Sequence, residues 1–103
     1  MESVEKITMA DLFELAIDNK ASDIHLTVDE PPCLRVDGSI VKVEYKELEA
    51  ESLKEMLFSI MNKEQIEEYE NNWEYDFSYA YAEKARFRVN VFNQNRGIAA
   101  VLR

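Results

Sequence analysis

Apolar positions change their period several times along the chain, and each change marks an element. Met9, Leu12, Phe13 and Ala16 recur at i, i+3, i+4 and i+7, which predicts an amphipathic helix over residues 9 to about 19. Thr8 stands where an N-cap belongs, with Asp11 at the answering position of a capping box, and Asn19-Lys20 closes the helix. Ile24, Leu26 and Val28 then alternate with Asp23, His25 and Thr27, the pattern of a half-buried strand that Glu30-Pro31-Pro32 stops. Leu34 and Val36 alternate with Cys33 and Arg35 and lead into Asp37-Gly38. That pair suits a type I′ hairpin, whose turn needs positive φ. The return strand reads as Ile40 to Val43.

Leu53, Met56, Leu57, Ile60 and Met61 restore the helical period. Asn62, answered by Gln65, opens a short helix through about Glu70 that carries Ile66 and Tyr69, and Asn71-Asn72 ends it. The period then drops to two. Trp73, Tyr75, Phe77, Tyr79 and Tyr81 share one face, with Glu74, Asp76, Ser78 and Ala80 on the other. Ala82-Glu83-Lys84 is a turn. Phe87, Val89 and Val91 alternate with Arg86, Arg88 and Asn90. Asn93 to Gly97 reads as a second turn, and Ile98 to Leu102 as the last strand. This order predicts one α+β domain over residues 1–103, an antiparallel sheet of short strands with about three helices on one or both faces. The last strand meets no stop signal before Arg103, so a linker and further protein are expected to follow.

Composition narrows the chemistry. The 103 residues contain two glycines, Gly38 and Gly97, far apart. Phosphate-cradling loops need clustered glycines, so neither a Walker-type nor a dinucleotide-binding loop can be built here. One cysteine excludes a disulfide framework and a cysteine-based zinc site, and one histidine excludes a His-rich metal site. No metal is expected. A net charge of -9 argues against nucleic acid and anionic membrane, which both want cationic surfaces. No apolar run approaches the ~20 residues of a membrane span. Residues 1–6 lack the pattern of a signal peptide, so a cytoplasmic location is expected, with Cys33 reduced.

Charge is also segregated. Residues 44–76 hold eleven acids and three lysines, whereas residues 85–103 hold four arginines and no acid. The plainer explanation is that the arginines neutralise the acidic helices. The sharper one is that they meet an anion or an acidic surface. Arg86 and Arg88 project from one face of one strand, and Arg96 sits in the adjoining turn. Three guanidiniums near one sheet end could grip phosphate oxygens. His25 beside Asp23 could do acid–base work, though a structural hydrogen bond or solvated ring is the simpler reading. Cys33 reads as inert, and the aromatic stripe as core rather than a base-stacking platform, because its neighbours are acids.

Several of these motifs occur together in a known order. Ala21-Ser22-Asp23-Ile24-His25-Leu26, Pro31-Pro32, Arg35-Val36-Asp37-Gly38, Asp76-Phe77-Ser78, Ala85-Arg86-Phe87-Arg88-Val89-Asn90 and Asn93-Gln94-Asn95-Arg96-Gly97 resemble the N-terminal domain of the type IV pilus retraction ATPases, the twitching-motility motors. The wider group is the secretion-system ATPases, including pilus-assembly and type II secretion motors. The resemblance spans residues 8 to 103. It implies a PAS-like domain that precedes a RecA-like ATPase domain not contained in these residues. It implies a homo-hexamer that binds ATP and Mg, works with inner-membrane pilus machinery, and is peripheral to that membrane without inserting. It implies that Arg86, Arg88 and Arg96 approach the nucleotide's phosphates when this domain closes on the ATPase domain of its own or an adjacent subunit. The 103 residues alone would then bind no cofactor, hold no catalytic residue and hydrolyse no ATP. The competing readings are a free-standing PAS-like ligand sensor and a plain protein-interaction module.

Overall fold

A computed structural model describes residues 7–103; residues 1–6, and with them the signal-peptide reading, lie outside the described residues. Nine elements follow one another: α1 (Met9–Asp18), β1 (Asp23–Thr27), β2 (Cys33–Val36), β3 (Ser39–Lys42), α2 (Ala50–Phe58), α3 (Lys63–Asn72), β4 (Glu74–Tyr81), β5 (Ala85–Gln94) and β6 (Gly97–Leu102). The Thr8–Asp11 and Asn62–Gln65 capping boxes both form, each satisfying two backbone N–H groups that a helix start would otherwise leave unpaired. Asp37 and Gly38 take φ of 52° and 84°, as a type I′ turn requires, and set Val36 opposite Ser39.

The six strands make one antiparallel sheet in the order β3-β2-β1-β6-β5-β4. The two strand groups legible in the sequence are joined where β1 pairs with β6, from Ile24↔Leu102 to Thr27↔Ala99. Register then puts Leu34, Ile24, Leu102, Val89 and Phe77 in one row across a single face. The three helices cover this face, and one core cluster contains the buried residues of all of them. Phe13 of α1 is its hub. Its ring lies 4.5 Å from Phe87, 4.9 Å from Tyr81 and 5.5 Å from Tyr79, centroid to centroid. The β4 aromatics therefore are core, half-buried under α1 and α3.

Three boundaries differ from the sequence reading. Helix α2 stops at Phe58, because Ser59 to Met61 turn the chain into the new N-cap at Asn62. Helix α3 runs through Asn71 and Asn72. Its terminator is Trp73, which caps it in the left-handed region and so stands outside the strand. The β5–β6 ladder continues to Gln94↔Gly97, which leaves Asn95-Arg96 as a two-residue turn instead of the five residues expected.

Phe13→Ala is expected to destabilise the domain by about 3–5 kcal/mol, the range for losing a buried aromatic. A urea titration followed by circular dichroism reads this directly; an unshifted midpoint would show that the ring is not the hub.

Candidate functional site

The face opposite the helices carries the polar alternates of the strands. Leu102 pairs with Ile24 on one side and Val89 on the other, so the next residue, Arg103, falls between β1 and β5. Its N–H donates to the Arg88 carbonyl at 2.8 Å, and its carbonyl accepts from the Arg88 N–H at 2.9 Å. This reciprocal exchange sets the two Cα atoms about 5.5 Å apart with both side chains on the open face. Like charges placed directly opposite repel. No ion pair joins Arg86, Arg88, Arg96 or Arg103 to a carboxylate among the described residues.

The nearby acids are engaged elsewhere. Asp76 accepts from the Asn90 side-chain amide. Glu14 takes Lys84 Nζ and the Tyr81 hydroxyl, each at 2.7 Å, which pins the β4–β5 turn to α1. Those hydrogen bonds, from Lys84 first and then Tyr81, hold the Glu14 carboxyl below its ordinary pKa. Asp23 Oδ2 accepts from Arg35 Nε at 3.4 Å and lies 3.3 Å from His25 Nε2. Two shallow recesses meet at Arg103. One, of about 230 Å³, includes Lys20, Asp23 and Arg86. The other, of about 440 Å³, includes Asp76, Arg88 and Asn90. Four cations thus gather at one end of the sheet.

The structure brings together Arg86 and Arg88 but not Arg96. Arg86 lies opposite Ala80, beside the β4–β5 turn, whereas Arg96 is in the β5–β6 turn at the far end of the ten-residue strand β5. At ~3.3 Å per residue, that is roughly 30 Å away. The expected trio at one sheet end is therefore a pair, and Arg103 and Lys20 complete the cluster. The neutralisation reading fails for Arg86 and Arg88 as well, because the acidic helices α2 and α3 cover the other face. His25 is part of the Asp23 network, the simpler of its two readings. Burial pushes the Cys33 thiol above its ordinary pKa, with the Glu30 carboxylate adding to it, which leaves the thiol protonated and unreactive.

Burial raises the Asp23 carboxyl, but hydrogen bonds from Arg35, His25 and Ser22 outweigh it and hold the pKa below the ordinary value. A depressed folded pKa gives stability that is present above the unfolded pKa of about 3.9 and lost as pH falls through the folded one. Asp23→Asn should therefore cost up to about 1 kcal/mol near neutral pH and progressively less below pH 4. Thermal melts of both proteins across pH 2.5–7 test the sign; a gap that widened toward acid would refute it.

No protein-family model matches the chain. It is 40% identical over 95 residues to the type IV pilus retraction ATPase PilT of Pseudomonas aeruginosa, covering 92% of this chain and 28% of that protein. It is 44% identical over 72 residues to a twitching motility protein of Neisseria gonorrhoeae, covering 70% of this chain and 19% of that protein. Its fold superposes on a crystal structure of the pilus retraction motor PilT with bound ADP at a TM-score of 0.86 and 36% identity, covering 94% of this chain and 29% of that one. The chain thus spans under a third of the length of the relatives it matches. In sequence and in fold it is a relative of the pilus retraction ATPases, and it corresponds to a domain-sized part of them.

Proposed function

We propose that the chain is the N-terminal, PAS-like domain of a subunit of a hexameric, ATP-driven pilus-retraction motor. In this reading it brings arginines to a nucleotide held by a RecA-like ATPase domain and offers a packing surface to the neighbouring subunit. The observation that carries the proposal is the pair Arg88–Arg103, two cations side by side on an open face with no carboxylate partner among the described residues. Such a pair suits an anion, because guanidiniums bind phosphate oxygens bidentately and stay charged. Arg86 adjoins it, and Arg96 is assigned to the far end of the sheet, away from this anion. One relative of known structure, the pilus retraction motor PilT, was solved with bound ADP.

The chemistry would follow arginine-finger logic. ATP and Mg would be held by the ATPase domain, and domain closure would bring Arg88 toward the charge that develops on the transferring phosphoryl group. In this reading the groups that hold nucleotide and metal belong to the ATPase domain, and the part played by this chain is to complete a site. The acidic net charge fits a protein partner better than nucleic acid or an anionic membrane surface. No helix among the described residues is long and apolar enough to cross a membrane. Service in a pilus-assembly or type II secretion motor would use the same residues in the same way.

In the protein that carries both domains, Arg88→Ala is expected to lower kcat for ATP by roughly 100-fold, whereas Arg96→Ala leaves it within about twofold. Phosphate-release assays on hexamers of matched size separate the two; equal losses, or none for Arg88→Ala, would assign Arg88 a structural role. The 103 residues alone are expected to release no phosphate from ATP.

A further inference from the structure

Trp73 is the largest side chain left in solvent, 57% exposed. Its backbone is held at φ 61° and ψ 21°, a left-handed conformation that bulky residues rarely adopt. Glycine or asparagine would end the helix there at lower cost. The indole stands at one end of an aromatic row. Tyr69, buried, meets Trp73 edge-on at 5.9 Å and 89°, and meets Phe58 at 6.2 Å and 73°. At the Phe58 end the row carries a cation of its own, because Lys54 Nζ lies 5.8 Å from the ring centroid. At the Trp73 end no cation covers the ring among the described residues.

Acids dominate the charge at that end, with Arg96 of the nearby β5–β6 turn standing against them. Helix α3 carries Glu64, Glu67, Glu68 and Glu70, and no basic residue stands in its last turn. Its C-terminal carbonyls add a partial negative charge at Trp73 itself. Glu74 opens β4 immediately afterwards. The Glu70 carboxylate is felt within the row. Burial chiefly, and Glu70 after it, hold the Tyr69 phenol above its ordinary pKa.

We propose that Trp73 anchors a docking site for a basic segment of a partner protein, with an arginine or lysine against the indole and Glu70 and Glu74 beside it. Charge complementarity selects this occupant. Nucleic acid and anionic lipid carry the wrong sign, and an apolar partner would leave the carboxylates and the helix end uncompensated. Exposed tryptophan is the best side-chain acceptor for a cation, and partly desolvated carboxylates strengthen the contact. The site lies apart from the Arg88–Arg103 pair, near the β5–β6 turn, where the Asn93 N–H donates to the Trp73 carbonyl.

Trp73 is the single tryptophan of the chain, so its emission reports this site alone. The probe is a capped heptapeptide of alternating glycine and arginine, with its glutamate counterpart as control. A saturable change in Trp73 emission is expected with the arginine peptide alone, weakening as salt is raised. Calorimetry should then show about a fivefold loss of affinity for Trp73→Leu, which keeps an apolar side chain but no ring face. Trp73→Phe should retain part of the affinity, and Glu70→Gln should lose part of it with the fold unchanged. Equal affinity of wild type and Trp73→Leu would overturn the proposal and reduce the contact to diffuse attraction by acids. So would a linear response up to millimolar peptide. Self-association that disappears in Trp73→Leu would make the occupant a second copy and overturn the partner assignment.

Discussion

The pairing of β1 with β6 is the constraint on which the rest of this domain depends. Four register pairs join strands from opposite ends of the chain, and they turn two hairpin systems into one six-stranded sheet. Each half alone would expose one side of its best-buried strand. Joined, Ile24, Leu26, Ala100 and Leu102 are at most 1% exposed and form the floor on which the helices rest. The same pairing gives Arg103 its neighbours. Without it no row would run from Arg35 through Asp23 and Arg103 to Arg88, and the open face would have no order. Contacts so distant in sequence form late and slowly, since loop-closure entropy is lost before they return any stabilisation.

The two faces divide the charge. The acid-rich α2 and α3 pack on one side of the sheet, while Arg86, Arg88 and Arg103 lie at its other side. A two-layer arrangement, with the helices on one face of a single sheet, keeps these groups from neutralising each other directly. The clustered arginines therefore are not explained by internal pairing, although a chain with a net charge of -9 has ample acid to pair them. Of the acids on the open face, Asp76 is committed to Asn90, and Asp23 to Arg35 and His25.

Much of this was legible in the residues. Periods of 3.6 and 2 located the elements, and two capping boxes and an Asp-Gly turn located their ends, because these signals act over three or four residues. The cluster was half legible. Alternation put Arg86 and Arg88 on one face, but it could not reveal Arg103 as their neighbour. That required the register, and the register required knowing that Asn95-Arg96 alone makes the turn. Asn93 and Gln94 look like turn residues and are instead the last pairs of a ladder. The same polar composition suggested that Arg96 sits with the others, whereas the full length of β5 separates them. Trp73 misled for the opposite reason. It continues the alternation of Tyr75, Phe77, Tyr79 and Tyr81, and nothing local signals a tryptophan in a left-handed cap.

The position of β6 also bears on how the domain carries load. Arg103 directly follows a strand that is bonded on both sides, by four register pairs to β1 and six to β5. A pull along the chain at this residue cannot peel β6 from an edge one bond at a time. It must slide the strand past both neighbours, loading the two ladders in parallel. Forced unfolding is governed by the unfolding barrier rather than by equilibrium stability. The central placement of β6 therefore makes the domain a stiff anchorage for whatever tension is applied at Arg103.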